Sequence, residues 1–142
     1  MLYVDTSVFV SFLVHEPTSA AVEQWFEQAE IEAVALSSWT IVEFVSAIGT
    51  KVRAHSLSSA TGKAAIREFT SLVSRSLRPI EPSAGDFARA ASIMERFELG
   101  LRAGDALHLA IAHRVHAASI VTLDKVLARA TERLGLPSHT PA

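Results

Sequence analysis

Apolar positions along the chain fall into short runs and helical stripes that take turns. Leu2 to Val4 is a brief apolar run ending at Asp5-Thr6-Ser7, which predicts a buried strand and then a helix from about Val8 to Val14. Pro17-Thr18 opens a second helix through Ala29, where Ala21, Val22, Trp25, Phe26 and Ala29 keep the i, i+3, i+4 spacing. Val34 to Leu36 predicts a second strand. Ser37 and Ser38 are placed to cap a helix reaching about Arg53, with Ile41, Phe44, Val45 and Ile48 as its apolar stripe. A further helix, from about Ser59 to Ser76, carries Ala65, Ile66, Phe69, Leu72 and Val73.

The second half continues the alternation. Arg78 to Glu81, closed by Pro82, predicts a third strand, and Ala84 to Phe97 a helix with Phe87, Ala91, Ile93 and Met94 among its apolar positions. Gly100 and Gly104 bracket a loop. A very apolar helix from about Ala103 to Ala117 leads into a strand, Ser119 to Thr122. The last helix, Lys125 to Leu134, ends at Gly135, and the tail from Pro137 is placed to add an edge strand. Strands alternating with helices in this way predict an α/β fold, a three-layer sandwich with a parallel sheet covered on both faces. No repeat or long linker divides the 142 residues, so one domain over residues 1–142 is expected.

Composition narrows the chemistry. The chain has no cysteine, which excludes disulfides, thiolate metal sites and a cysteine nucleophile. No apolar run reaches the roughly 18 residues that span a bilayer, and the start MLYVDTS lacks the basic lead of a secretion signal, so a cytoplasmic protein with no membrane partner is expected. The formal net charge of -2 hides an asymmetry: between Lys51 and Arg78 stand six basic residues and one acid, Glu68. That stretch suits attraction of a polyanion, and equally a solvated helix face.

Aspartate is scarce, at Asp5, Asp86, Asp105 and Asp124. In a right-handed β-helix-β layout, strand C-termini and helix N-termini share one edge of the sheet, where ligand sites lie. Asp5 follows the first strand, Asp124 follows the Ser119 to Thr122 strand, Asp105 opens the helix before it, and Glu43 lies early in the helix after the second strand. Four carboxylates at one rim repel unless a cation neutralises them. Carboxylate oxygens suit Mg²⁺ or Mn²⁺, ions that polarise water and stabilise a leaving oxygen in phosphodiester hydrolysis.

Each acid has a plainer reading that stays open on the sequence alone. Asp5 suits a turn or helix cap, Glu43 falls opposite the Ile41, Val45, Ile48 stripe as on a solvated face, Asp105 complements a helix dipole, and Asp124 is an N-cap candidate. His108, one turn after Asp105, would orient that carboxylate, touch substrate, or be a satisfied core histidine. Thr6, Ser7 and Thr122 are hydroxyls beside the acids. Asp86, in the first turn of a helix, reads as structural.

The segments LYVDTSV, SSWTIVEF, LRAGDALHLAIA and IVTLDKVLARA, in that order and spacing, resemble the PIN-domain family, and within it the VapC-type toxins of toxin-antitoxin pairs. The resemblance covers essentially the whole chain. It implies five parallel strands in the order 3-2-1-4-5, a homodimer, Mg²⁺- or Mn²⁺-dependent endoribonuclease activity, and a cognate antitoxin that blocks the site. Carried over by position, the catalytic and metal-binding acids are Asp5, Glu43, Asp105 and Asp124, with Thr6 and Thr122 at hydroxyl positions near the metal. Lys51 and Arg53, with Lys63 and Arg67, would draw in the RNA backbone, and Trp39 would stack a base or pack in the core.

Two other classes compete with this reading. A non-catalytic RNA- or protein-binding scaffold would need the basic arm alone. A phospho-acceptor receiver domain wants adjacent acids after the first strand and an Asp ending a middle strand; here Asp5 is followed by Thr6, and no Asp lies between Glu43 and Asp86.

Overall fold

A computed structural model describes residues 1–142. The short apolar runs form one parallel sheet of four strands, β1 (Leu2–Val4), β2 (Val34–Ala35), β3 (Ser119–Val121) and β4 (Ser138–His139), ordered β2-β1-β3-β4. β1 is central, with Leu2 opposite Val34 on one side and Ser119 on the other. The tail after Pro137 supplies the edge strand β4, as expected.

Beyond β2 the sheet gains a single parallel bridge, Ser37 to Ile80. The expected order 3-2-1-4-5 is thus kept in outline, with one correction: Arg78 to Glu81 is not a strand but this one bridge. Pro79 and Pro82 flank Ile80, and proline has no N–H to give a ladder. Ile80 N donates to Leu36 O at 2.9 Å and Ser38 N donates to Ile80 O at 3.0 Å, and the pairing extends no further.

Alternation along the strands sends successive side chains to opposite faces and so divides the interior in two. Val4 and Val121 join α1 (Thr6–Leu13), α2 (Ser19–Gln28), α3 (Ser38–Arg53) and α4 (Ser59–Ser76) through Phe9, Val22, Phe44, Ile48 and Phe69. Tyr3 and Ile120 face α5 (Ala84–Met94), α6 (Ala103–Arg114) and α7 (Lys125–Arg133) through Ala90, Leu107, Ile111 and Leu127. In the first layer Phe44 stacks on Phe69 at 4.1 Å between ring centres, and Phe9 lies 5.3 Å from Phe69. α3 and α4 approach closely at Gly62, where a methyl would come within 2.9 Å of Val52 Cγ2.

Two stripes differ from expectation. α3 buries Thr40, Phe44 and Ile48, leaving Val45 43% exposed and Ile41 half-buried, because the polar Thr40 turns inward to complete a capping box with Ser37. On α5 the buried face is Asp86 and Ala90, so Phe87 points outward; the helix stops at Met94 rather than Phe97. α6 ends at Arg114, short of Ala117, as His116 takes a left-handed backbone at φ 52°.

Asp86 is structural, as expected, though for more reasons than the helix dipole. It completes a capping box with Ser83 and receives Arg114 Nε on both oxygens at 2.8 and 3.0 Å, tying α5 to α6. No helix is long and apolar enough to cross a membrane.

Candidate active site

The cleft in question opens where the central strands end. Asp5 leaves β1 with its backbone N–H still bonded to Val121 O at 3.0 Å, then caps α1: Oδ1 accepts from Ser7 N and from the Ser7 hydroxyl. Ser7 Oγ in turn accepts from Leu123 N at 3.0 Å, which fastens the loop carrying Asp124 to the start of α1. Asp124 caps α7, its Oδ1 accepting from Val126 N and Leu127 N. The plainer capping readings of Asp5 and Asp124 are therefore true, and each cap still leaves the second carboxylate oxygen, Oδ2, uncommitted to the helix.

Glu43 is not on a solvated face. It is only 26% exposed, and its Oε1 accepts from the Thr6 hydroxyl at 2.7 Å and from His108 Nε2. His108 is 1% exposed and serves Glu43, not the Asp105 one turn before it on α6. Its Nδ1 meets the Tyr3 hydroxyl at 2.8 Å, and Tyr3 meets Ser37 Oγ at 2.9 Å. A carboxylate can only accept, so the hydrogen of this His108–Glu43 bond sits on Nε2. Of this buried chain, the sequence alone points only to a satisfied core histidine, and His108 is one.

Asp105 stands in the first turn of α6, and Arg102, just ahead of that helix, lies 3.6 Å from both Asp105 Oδ2 and Asp124 Oδ2. The Arg102 side chain is 83% exposed. Sequence reasoning missed it, since a lone arginine before a helix carries no signal of which acids it will meet. Thr122 is fully buried and its hydroxyl accepts from Asp124 N at 2.9 Å, so it shapes the loop.

Asp5, Thr6, Ser7, Glu43, Ser46, Arg102, Asp105 and Asp124 all line one cleft of about 240 Å³. A larger hollow, about 820 Å³, runs past Met1, Trp25 and His139 and shares no residue with it. Size is a poor guide here; the gathering of acids is the better one.

Electrostatics mark the same place. Burial pushes the Asp5 carboxyl up from 3.8 to about 6, against the pull of nearby His108 and of hydrogen bonds from Ser7 and Thr122, with Asp105 adding to the rise. Asp105 is also raised, by burial and then by Asp124. Burial pushes Glu43 up too, but the His108 and Thr6 bonds outweigh it and hold it below the usual range. Burial raises the Tyr3 phenol.

No three histidine or acidic side chains converge closely enough to cage an ion as they stand. The donors that line the cleft are nonetheless hard oxygens, both His108 nitrogens are already bonded to Tyr3 and Glu43, and the positive charge between Asp105 and Asp124 is an exposed arginine. The rise of both acids comes first from burial, with a like charge beside each adding to it, Asp105 for Asp5 and Asp124 for Asp105. That donor set fits Mg²⁺ or Mn²⁺ and not a softer metal.

Of the basic residues proposed for RNA, Lys51 is tied to Glu16 at 2.6 Å, so part of its charge is already answered. Arg53 reaches no acid and bonds Thr50 Oγ1 at 3.3 Å. Trp39 is half-buried against the α5–α7 layer.

Comparison with known proteins gives one family. The PIN domain family model matches residues 2–133. A search of curated proteins gives no match. Among solved structures, the chain is similar to VapC20 of Mycobacterium tuberculosis, a sarcin-ricin loop cleaving toxin (TM-score 0.75, 15% identity, 96% of each chain). It is also similar to FitAcB of Neisseria gonorrhoeae (0.71, 19%, 99% of this chain and 98% of that one). A third is a toxin-antitoxin complex from Klebsiella pneumoniae (0.64, 20%, 100% and 98%).

Proposed function

The chain belongs to the PIN domain family, and from that premise we propose that it is a Mg²⁺- or Mn²⁺-dependent endoribonuclease, the toxin of a toxin-antitoxin pair. The observation that carries the reading is the meeting of Asp5, Glu43, Asp105 and Asp124 in one cleft at the ends of β1 and β3. They come from four separate stretches of sequence. Capping explains two of them and dipole complementarity a third, but neither explains why all four share a wall.

In this reading Asp5 and Asp105 would hold the ion, with Glu43 and Asp124 assisting through water or a second ion. The ion, when bound, supplies Lewis acidity toward water and toward the phosphate oxygens. The chain's own residues do the rest. Ser7 fixes Asp5 and the Asp124 loop in one unit, Thr6 and His108 fix Glu43, and Thr122 sets the turn that presents Asp124. Arg102 screens Asp105 and Asp124 and, once released, is placed to meet phosphate. Arg53, with Lys63 and Arg67, draws RNA in by a salt-dependent attraction that does not read sequence.

A solved relative in fold is a toxin-antitoxin complex, which supports an antitoxin as the partner; a homodimer and a cytoplasmic setting belong to the same proposal, as does one domain spanning the chain. The test is RNA cleavage by Asp105→Asn beside wild type, with EDTA and Mg²⁺ add-back. The variant is expected to fold and not cut, and chelator to stop the wild type reversibly. Wild-type cleavage by the variant, or activity that persists in chelator, overturns the assignment. RNA binding without cleavage by the wild type would favour the scaffold instead.

A further inference from the structure

We propose that Trp39 is a positioning residue for Glu43, its indole N–H donating to Glu43 Oε2 across a gap kept open because residue 104 is glycine. The catalytic meaning of this contact rests on the nuclease reading above; the contact itself does not.

Trp39 Nε1 is the buried side-chain polar atom left without a hydrogen-bond partner in this structure. Buried donors are nearly always satisfied, so an orphan marks a partner that is missing or displaced. Glu43, which lines the open cleft, has an acceptor to spare: Thr6 and His108 both deliver their hydrogen bonds to Oε1, and no protein donor falls on Oε2. The two atoms border one point beside Gly104, and the structure as it stands forms no bond between them. A methyl built on Gly104 would lie 3.3 Å from Trp39 Nε1 and would collide with Glu43 Oε2. Trp39 and Glu43 are four residues apart on α3, the spacing that puts two side chains on one helix face.

Gly104 itself points the same way. It sits in the first turn of α6, beside Asp105, with ordinary helical backbone and no positive φ. Glycine is a poor helix former there. What its missing side chain supplies is room for the Glu43 carboxylate and the indole edge. Packing of the Trp39 ring against the α5–α7 layer accounts for a large aromatic at this position, but a phenylalanine would pack as well without burying a donor. With Trp39 on Oε2 and Thr6 and His108 on Oε1, both oxygens of Glu43 are held, and its orientation in the cleft is fixed.

The indole signals of the ¹⁵N-labelled protein test the contact without metal, RNA or activity. The chain has two tryptophans, and Trp25→Phe assigns them. Glu43→Gln, which takes the charge off the acceptor, is expected to shift the Trp39 N–H signal and leave that of Trp25 in place; an unmoved Trp39 signal overturns the proposal. Trp39→Phe keeps the ring and removes the donor. It is expected to lower kcat and Mn²⁺ affinity by roughly ten- to a hundredfold, the usual loss when a residue that orients a ligand is removed, with KM for RNA unchanged. Wild-type kcat and Mn²⁺ affinity in Trp39→Phe overturn it, and a raised KM with unchanged kcat would make Trp39 a base-stacking residue instead. Should the wild type cut no RNA, the nuclease reading falls and the indole signals alone decide the contact.

Discussion

Replacing Asp5 by asparagine is expected to stabilise the metal-free protein while abolishing its cleavage of RNA. Asp5 is 5% exposed, and burial raises its carboxyl from 3.8 to about 6. Between those values the folded protein holds a proton that the unfolded chain has released, so stability falls as pH rises from about 4 to about 6 and stays lower above that. A shift of about two units, at about 1.36 kcal/mol per unit, amounts to about 3 kcal/mol at neutral pH. Asparagine keeps the Oδ1 that accepts from Ser7 N and the Ser7 hydroxyl, so the cap on α1 survives. The assay is urea unfolding in EDTA at about pH 4 and about pH 7.5. The two proteins should be nearly equal at the lower pH, and the variant more stable by about 3 kcal/mol at the higher. Mg²⁺ at about a hundred times its Kd should then stabilise the wild type by about 2.7 kcal/mol and the variant far less. A variant no more stable than wild type at pH 7.5, or one stabilised equally by Mg²⁺, would refute the reasoning.

Two further outcomes follow from the framework around the cleft. Burial alone would raise Asp86, but its bonds to Arg114 and Ser83 hold it below its ordinary 3.8, so its stabilisation is present above that value and lost as pH falls through the lower folded one. Asp86→Asn should cost about 2 kcal/mol at pH 7 and much less near pH 2; an equal cost at both pH values in urea unfolding would contradict the ion pair. Phe69→Ala removes the ring between Phe9 and Phe44 and should cost about 3–5 kcal/mol, and a loss below about 1 kcal/mol would show that this core is not where the first layer is held.

Legibility in the sequence followed how local each cause was. Asp5 and Asp124 were readable because an apolar strand, then an acid, then a helix is a contiguous pattern. Glu43 is harder, since the apolar stripe of α3 points Val45 inward and Glu43 outward, while capping by Ser37 turns Thr40 in and brings Glu43 to face Thr6. His108 lies on a helix buried continuously from Ala106 to Ala112, so periodicity gave its side chain no direction. Its partners Glu43 and Tyr3 are 65 and 105 residues away, and pairings across such distances leave no trace in a single sequence. The same holds for Arg114 on Asp86. The third strand was lost to a local cause, Pro79, whose effect beside Pro82 the apolar pattern concealed.

The hydrogen-bonded chain from Ser37 through Tyr3 and His108 to Glu43 threads through the sheet. Glu43 rides on the α1–α4 slab, His108 on the α5–α7 slab, and Tyr3 on the strand between them. Any slippage of one slab past the other must therefore pull on a single carboxylate at the mouth of the cleft, which makes that side chain a gauge of whether the two halves of the molecule are correctly seated.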